Sequence, residues 1–310
     1  MSVNANTAAH RRNAIKSSLG DRVFDIVNHS LLIIFLVLIM YPLYFVLLAS
    51  VSAPVYVNSG EFLLWPKGFQ LMGYNRIFTD SRIGIGYLNT IIYVTCGTGI
   101  GLFTQLPAGY ALSRKDLPGK NIIMALMVFT MYFGGGLIPL YMLVRNIGLQ
   151  GSRLAIIILG CTSVYNIIIV RSFFSSTIPL ELQDAAFIDG CSNQRFFVSI
   201  VLPLSLPVIS VIALWLAVYH WNAYFNAMIF LSDKNKFPLQ LFLREILITT
   251  NSIGSQSSIT SDVVELERQR TMVEVMKYAI IVVSTAPIIC FYPFLQKYFV
   301  RGVMIGSIKG

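Results

Sequence analysis

The sequence is poor in charge and lacks the motifs that catalysis or nucleotide binding requires. Only 12% of its 310 residues are charged while 55% are hydrophobic, a composition far from that of a soluble domain of this size. It contains no GxxxxGK[ST], HExxH or GxSxG pattern, which argues against a P-loop, a zinc hydrolase and a serine hydrolase. We therefore expect an all-α membrane protein that is not an enzyme and binds no cofactor or metal itself.

Cysteine is also scarce, and the basic residues are dispersed. Cys96, Cys161, Cys191 and Cys290 lie in or beside apolar segments, without the paired spacing of a zinc site or a disulfide framework. The formal net charge is +9, but Lys and Arg stand singly at the ends of apolar segments. That distribution indicates orientation in a membrane rather than a nucleic-acid surface.

Six apolar segments are predicted to cross a bilayer, which takes about 20 residues each. They are residues 26–50, 86–112, 121–144, 154–170, 204–231 and 278–298. Residues 1–25 form a basic cytoplasmic tail in this scheme, and residues 26–310 form one membrane domain with both termini cytoplasmic. The longest outside loop covers residues 232–277, with a flexible link at 249–261 and a helix that begins at Asp262.

None of these segments contains Asp, Glu, Lys or Arg in its interior, and His220 is the only ionisable side chain well inside one. Carriers driven by protons or sodium generally need an intramembrane carboxylate or charged relay, so this absence disfavours such a carrier. For His220 we expect an interhelical hydrogen bond rather than a metal site, since no second ligand has useful spacing.

Glycines interrupt two of the segments. Gly97, Gly99 and Gly101 predict close helix packing, because a nucleotide loop would need a different spacing and a preceding strand. The run 134–136 followed by Pro139 predicts an unwound or kinked helix, which either lines a cavity or partner contact or is a packing kink.

The stretch 179–207 is amphipathic and charged, yet lies between apolar segments. It predicts a short exposed helix, capped by Thr177 with Pro179 in the first turn, that is either a docking element or an ordinary interfacial helix. Leu182, Ala185 and Ala186 would share one face, and Glu181 and Asp184 the other. Gly190 would end this helix, and Ser192 or Asn193 would cap a second one.

Within this stretch, Asp184-Ala185-Ala186, Asp189-Gly190, Phe197, Ile200 and Leu202-Pro203 resemble the EAA loop of ATP-binding-cassette (ABC) importer permeases. The chain departs from the pattern with Asp184 in place of Glu and Cys191 in place of a small alanine. The resemblance implies a coupling helix that sits in a cleft of the cytoplasmic ATPase. It assigns ATPase coupling to Asp184, Ala185, Ala186, Asp189 and Gly190.

The resemblance extends nearly from end to end, to carbohydrate-importer permeases of the LplC and YtcP type. It is carried by residues 133–139, 221–225, 237–240 and 292–310. It implies a type I importer fold with six transmembrane helices in the bacterial cell membrane. The implied partners are a second permease chain, a dimer of ATP-binding subunits that uses ATP and Mg²⁺, and an extracytoplasmic solute-binding protein.

A sugar path needs aromatic faces for pyranose rings and amides for hydroxyl groups. On that chemistry the candidates are Trp221, Asn222, Tyr224, Asn226, Asn89, Tyr132 and Asn166. Each of them can equally well be a polar contact between helices. The alternatives for the whole chain are a permease for peptides or amino acids, an ATP-independent secondary carrier and a purely structural membrane subunit.

Overall fold

The computed structural model describes residues 18–59, 64–255, 276–290 and 293, and every regular element in these ranges is helical. The helices are α1 (Leu19–Val51), α2 (Pro54–Asn58), α3 (Met72–Thr79), α4 (Ser81–Ser113), α5 (Lys120–Tyr132), α6 (Leu137–Asn146), α7 (Arg153–Ile158), α8 (Val164–Thr177), α9 (Leu180–Ile188), α10 (Asn193–Phe196), α11 (Leu202–Leu204), α12 (Leu206–Trp221), α13 (Phe225–Phe230), α14 (Leu239–Ser255) and α15 (Met276–Cys290). A π-helical turn, Phe197–Val201, joins α10 to α11, and a 3₁₀ turn, Lys234–Lys236, precedes α14.

Helix α4 is the centre of the bundle, because its neighbours α8, α12, α14, α7 and α3 all pack on it. Small residues permit the close approach. A Cβ added to Gly101 would lie 2.6 Å from the carbonyl oxygen of Cys161, and one added to Gly109 would lie 2.8 Å from Cβ of Val170. Gly97 faces the ring of His220, whereas Gly99 has no neighbour within 4 Å. The prediction of close packing is thus confirmed for Gly97 and Gly101 and wrong for Gly99.

Helix α1 differs from the rest because almost all of its surface is exposed. A capping box between Ser18 and Asp21 starts it, so helix already covers the end of the predicted tail. Only Leu48, Ala49 and Ser50 in its last turns are buried. Most of the side chains from Leu31 to Leu47 are large and apolar, which suits contact with lipid.

Two of the described helices, α1 and α4, are long and apolar enough to cross a membrane, and two bent pairs raise the possible number to four. The first pair, α5 and α6, bends by 111° at the Gly134–Gly136 break. The second, α10–α11 with α12, bends by 82° at Ser205. The predicted break at the three glycines is therefore present, as a sharp turn rather than a mild kink.

Three predicted segments differ from what the sequence suggested. Residues 154–170 are not one helix, since residues 159–163 separate α7 from α8. Residues 204–231 are likewise interrupted, between α12 and α13. The predicted loop 232–277 contains α14, which buries Leu239 and Phe242 against the bundle and continues as helix to Ser255, into the predicted flexible link. The helix predicted from Asp262 and the C-terminal tail lie outside the described residues.

Candidate functional site

Helix α9 has one side packed on the bundle and a broad exposed side. Leu182 and Ala186, one turn apart, pack on a core cluster that includes Phe174 of α8. The opposite side carries four exposed residues at i, i+3, i+4 and i+7, which share one face of a helix. These four residues, hereafter the α9 stripe, are Glu181, Asp184, Ala185 and Ile188.

The two alanines of the motif therefore have different surroundings. Ala186 is 8% exposed and belongs to the core, whereas Ala185 is exposed beside Asp184. The prediction that Leu182, Ala185 and Ala186 share one face is wrong for Ala185. Residues one position apart differ by about 100° around a helix, so the face that buries Ala186 turns its neighbour outward.

Thr177 does not cap α9, because it is the last residue of α8. Pro179 stands at the N-cap position, with extended backbone and no side-chain cap. The far end of α9 matches the prediction. Gly190 has φ +76°, its N–H donates to Phe187 O at 3.0 Å, and the N–H of Cys191 donates to Ala186 O at 2.9 Å.

This pair of bonds is the glycine C-cap in which a left-handed residue closes the last helical turn. Asp189, the residue just before the glycine, is exposed and takes the C-cap position of α9. Ser192 then caps α10 by accepting the N–H of Arg195 at 3.4 Å. The sequence of helix, glycine turn and second helix is therefore confirmed.

The turn between α4 and α5 packs against the side of α9. The Arg114 guanidinium lies 5.4 Å from the ring centroid of Phe187 and forms a two-point ion pair with Asp116, with a 2.6 Å Nη2–Oδ2 contact. Hydrogen bonds from this guanidinium lower the pKa of the Asp116 carboxyl below its usual value. The ion pair neutralises the charge of Arg114 and holds its guanidinium beside α9.

The predicted path residues do not form one group. Trp221 is buried and donates its indole N–H to Ser284 O at 3.1 Å. Asn89 is buried elsewhere, donating to the carbonyls of Asn235 and Phe237 and accepting from Arg153 at 3.0 Å. These contacts give Trp221 and Asn89 structural roles in the bundle.

The remaining candidates are divided as well. Asn222, Tyr224 and Asn226 lie together after α12, with Asn222 and Tyr224 exposed and Asn226 half-buried. Tyr132 is 77% exposed at the end of α5, and Asn166 is buried in α8. The group 222–226 thus lies directly after α12, which packs against α8.

The surface that α8 and α12 share contains aromatic residues that the sequence reasoning missed. Tyr165 of α8 and Trp215 of α12 stack on each other with ring centroids 5.9 Å apart and planes at 29°. Tyr219, one turn further along α12, packs against Gly160 in the 159–163 break, and Asn226 lies 3.5 Å from its hydroxyl oxygen. Tyr165, Trp215, Tyr219 and Asn226 together are called the α8–α12 face below.

The 3.6-residue period of α12 offered a signal for this face. Val208, Ile212, Leu216 and His220 are buried at intervals of four, so Trp215 and Tyr219 must point away from that row. A sequence alone does not reveal which row is buried, because α12 is apolar on every side. The sequence favours Trp221 because Asn222, Tyr224 and Asn226 follow it, whereas Trp215 stands in an apolar run.

His220 does not make the predicted hydrogen bond. It is 1% exposed, and neither ring nitrogen has a partner among the residues that the structure describes. Its ring instead fills the space left by Gly97 on α4. The contact is therefore one of packing rather than hydrogen bonding, because the missing side chain of Gly97 leaves room for the imidazole between the two helices.

No protein-family model matches the chain. It is 38% identical to the polygalacturonan/rhamnogalacturonan transport system permease protein YtcP of Bacillus subtilis, over 94% of this chain and 100% of that one. It is 35% identical to the protein LplC of the same organism, over 96% of this chain and 99% of that one.

The fold leads to the same group. The chain superposes on a chain of a bacterial ABC transporter that imports the acidic polysaccharide alginate, with a TM-score of 0.80 and 32% identity. The match covers 91% of this chain and 99% of that one. With the EAA-type loop in place on α9, the chain belongs to the family of ABC transporter permeases, in the branch that imports carbohydrates.

Proposed function

We propose that this carbohydrate-importer permease receives its driving motion through the α9 stripe and moves its substrate along the α8–α12 face. The observation that carries the first part is the division of α9 into an anchored side and an exposed side. A partner that binds Ala185 and Ile188 and then moves will carry the whole of α9 with it. Leu182 and Ala186 transmit this motion, because they pack into the core with α8. The force therefore enters the bundle through the core cluster that α9 shares with α8.

The proposal includes the assembly. A second homologous permease chain completes the path, a dimer of cytoplasmic ATP-binding subunits uses ATP and Mg²⁺, and an extracytoplasmic solute-binding protein delivers the sugar. The roles of the relatives as transport-system permeases support this composition. ATP binding closes the ATPase dimer, and the α9 stripe couples that closure to a change in which side of the membrane the path opens to.

The arrangement in the membrane is part of the same proposal. Six spans with both termini cytoplasmic place α9 on the side of the ATPase, in the bacterial cell membrane. The apolar surface of α1 and the two bent pairs support a multi-pass arrangement. Asp184, Ala185, Ala186, Asp189 and Gly190 then form the coupling element, with Ala186 and Gly190 holding its shape and the other three facing the ATPase.

The substrate we propose is an oligosaccharide released from a larger polysaccharide. Two of the similar proteins are named for polygalacturonan/rhamnogalacturonan and for alginate, which are polymers. The α8–α12 face has the chemistry for sugars, because aromatic rings stack on pyranose faces while a phenol and an amide meet hydroxyl groups. Asn222 and Tyr224 extend this face beyond α12.

The coupling role is tested with one substitution at the centre of the α9 stripe. Ala185→Arg places a long cation on the exposed side without entering the core, so the chain should remain folded while the ATPase no longer co-purifies and sugar uptake is lost. Asn146→Arg is the matched control, since Asn146 is an exposed residue at the end of α6. It should keep both the ATPase and uptake.

Two results would contradict the proposal. Retention of the ATPase and of normal uptake by Ala185→Arg would show that α9 is not the coupling element. Uptake by the purified wild-type chain without nucleotide, and with no ATPase in the preparation, would favour the secondary carrier.

A further inference from the structure

A cavity of about 350 Å³ lies beside α9, between the end of α4, the start of α5 and the end of α8. Four cationic side chains line it, and none of the lining residues is acidic. The cations are Arg114, Lys115, Lys120 and Arg171. Such a concentration of one sign around a single cavity is unfavourable unless an anion or water screens it.

Among these cations, Arg114 alone forms an ion pair within the part of the chain that the structure describes, while Lys120 acts on the same Asp116 carboxylate from beyond ion-pair distance. Arg114 is paired with Asp116, which lies outside the cavity lining. Lys120 donates to Arg114 O at 2.9 Å, and Nε of Arg171 donates to Leu112 O at 3.2 Å, so carbonyls hold both side chains in place. Within the described ranges, no carboxylate lies within the 4.0 Å ion-pair distance of Lys115, Lys120 or Arg171.

The walls of the cavity suit a phosphate. Ser175 supplies a hydroxyl donor, whereas the hydroxyl groups of Ser113 and Ser176 donate to the carbonyls of Tyr110 and Phe173. The fully buried ring of Phe196 forms part of an apolar floor that strengthens the field of the cations. Arginine, lysine and hydroxyl donors around one volume form the usual set for phosphate oxygens.

The surroundings identify the source of that phosphate. Lys120 begins α5, and the next turns of this helix expose Ile122 by 69% and Leu126 by 62%. An acyl chain can lie on this aliphatic surface while its headgroup enters the cavity. Basic pockets between membrane helices on the cytoplasmic side bind anionic lipid headgroups in this way.

We propose that this cavity binds the phosphate group of an anionic phospholipid and that the bound lipid sets the position of α9. Leu180 and Gln183 of α9 line the cavity, so its occupant touches the coupling helix on the flank next to the α9 stripe. The position of the cavity on the cytoplasmic side of the membrane rests on the proposed function, whereas binding of the lipid does not. Anionic lipid then raises the efficiency with which the ATPase drives transport.

Binding is tested on the solubilised chain by native mass spectrometry after incubation with phosphatidylglycerol. The wild type should retain this lipid, and Lys120→Gln/Arg171→Gln should bind it roughly 30-fold more weakly, since each cation near a membrane surface contributes about a fivefold effect. Lys115→Gln removes an exposed cation from the cavity lining, so it tests lipid binding even if the double variant fails to fold. Arg22→Gln, a loss of charge in the first turn of α1, should bind as the wild type does.

Transport separates this proposal from the function. In vesicles of phosphatidylcholine alone, the wild-type importer should work slowly, and added phosphatidylglycerol should accelerate it but not the double variant. Equal lipid retention by the wild type and both cavity variants would refute the lipid site even if transport proceeds. Equal acceleration by inorganic phosphate in phosphatidylcholine vesicles would assign the cavity to a free anion. Loss of the lipid whenever the ATPase is bound would assign it to an acidic segment of that subunit.

Discussion

Replacing a single glycine on α4 should show how tightly the bundle is packed. In Gly97→Ala, the new Cβ would lie 2.5 Å from two carbons of the His220 ring, where carbon atoms normally stay 3.5–4.0 Å apart, a shortfall of about 1 Å. His220 is 1% exposed on the facing helix α12, so the ring cannot turn out into solvent. Overpacking of this kind costs about 1–3 kcal/mol.

Gly99→Ala is the matched control because nothing lies within 4 Å of its added Cβ. Both substitutions gain roughly 0.5–1 kcal/mol from the better helix propensity of alanine. That gain is common to the pair, so the difference in stability between the two variants equals the packing cost alone. The measurement is thermal unfolding in detergent, followed by the fraction that remains monodisperse on gel filtration.

A double substitution identifies the clashing group. If the His220 ring is the obstacle, Gly97→Ala should cost much less in a His220→Ala background than in the wild type, with a coupling energy of about 1–3 kcal/mol. Equal melting of Gly97→Ala and Gly99→Ala would refute the reasoning, and so would strict additivity in the double variant.

Three further predictions concern other positions. Gly190→Val should leave the chain in the membrane but abolish uptake, because a β-branched residue disfavours φ +76°. An added Cβ has no neighbour within 4 Å, so the effect comes from the backbone alone, and normal uptake would contradict the prediction. Asp80→Ala should lower thermal stability by about 1 kcal/mol through loss of the α4 N-cap, and Asp80→Asn by less, since asparagine also caps. The hydrogen bond from Arg82 lowers the pKa of Asp80, so the stabilisation by Asp80 should be fully present above the usual carboxyl pKa and be lost as the pH falls below that value. Melting of the wild type and Asp80→Asn as a function of pH measures this loss, and a difference between them that does not change with pH would contradict the prediction. Trp215→Ala should slow uptake without altering ATPase co-purification, whereas Phe103→Ala, an exposed aromatic on α4, should not.

The sequence was informative wherever one residue type determines the backbone. Gly190 predicted the end of α9, and the three glycines at 134–136 predicted the break between α5 and α6, because glycine permits conformations closed to other residues. The motif around Asp184 indicated the family through the order of a few neighbouring residues. These signals are local and do not depend on packing.

The sequence was less informative about which side of an apolar helix faces inward. Ala185 and Ala186 are chemically identical, and only the core beneath α9 distinguishes them. The break at 159–163 has one glycine and no proline, and a hydropathy profile does not register it. For α14, the polar residues from Thr249 onward suggested a link, but the apolar residues near its start hold the helix on α4.

The contrast between α1 and α4 has a consequence for how the protein is made. The 33 residues of α1 form a helix about 50 Å long, which exceeds the roughly 30 Å hydrocarbon core, and its side chains find their stabilising surroundings in lipid. Apart from the short α3, the partners of α4 are all synthesised after it, so its glycine-lined surface stays uncovered until α8 and α12 emerge from the ribosome. During that interval α1 already has lipid as its stabilising surroundings, whereas the glycine-lined surface of α4 still lacks the helices that cover it.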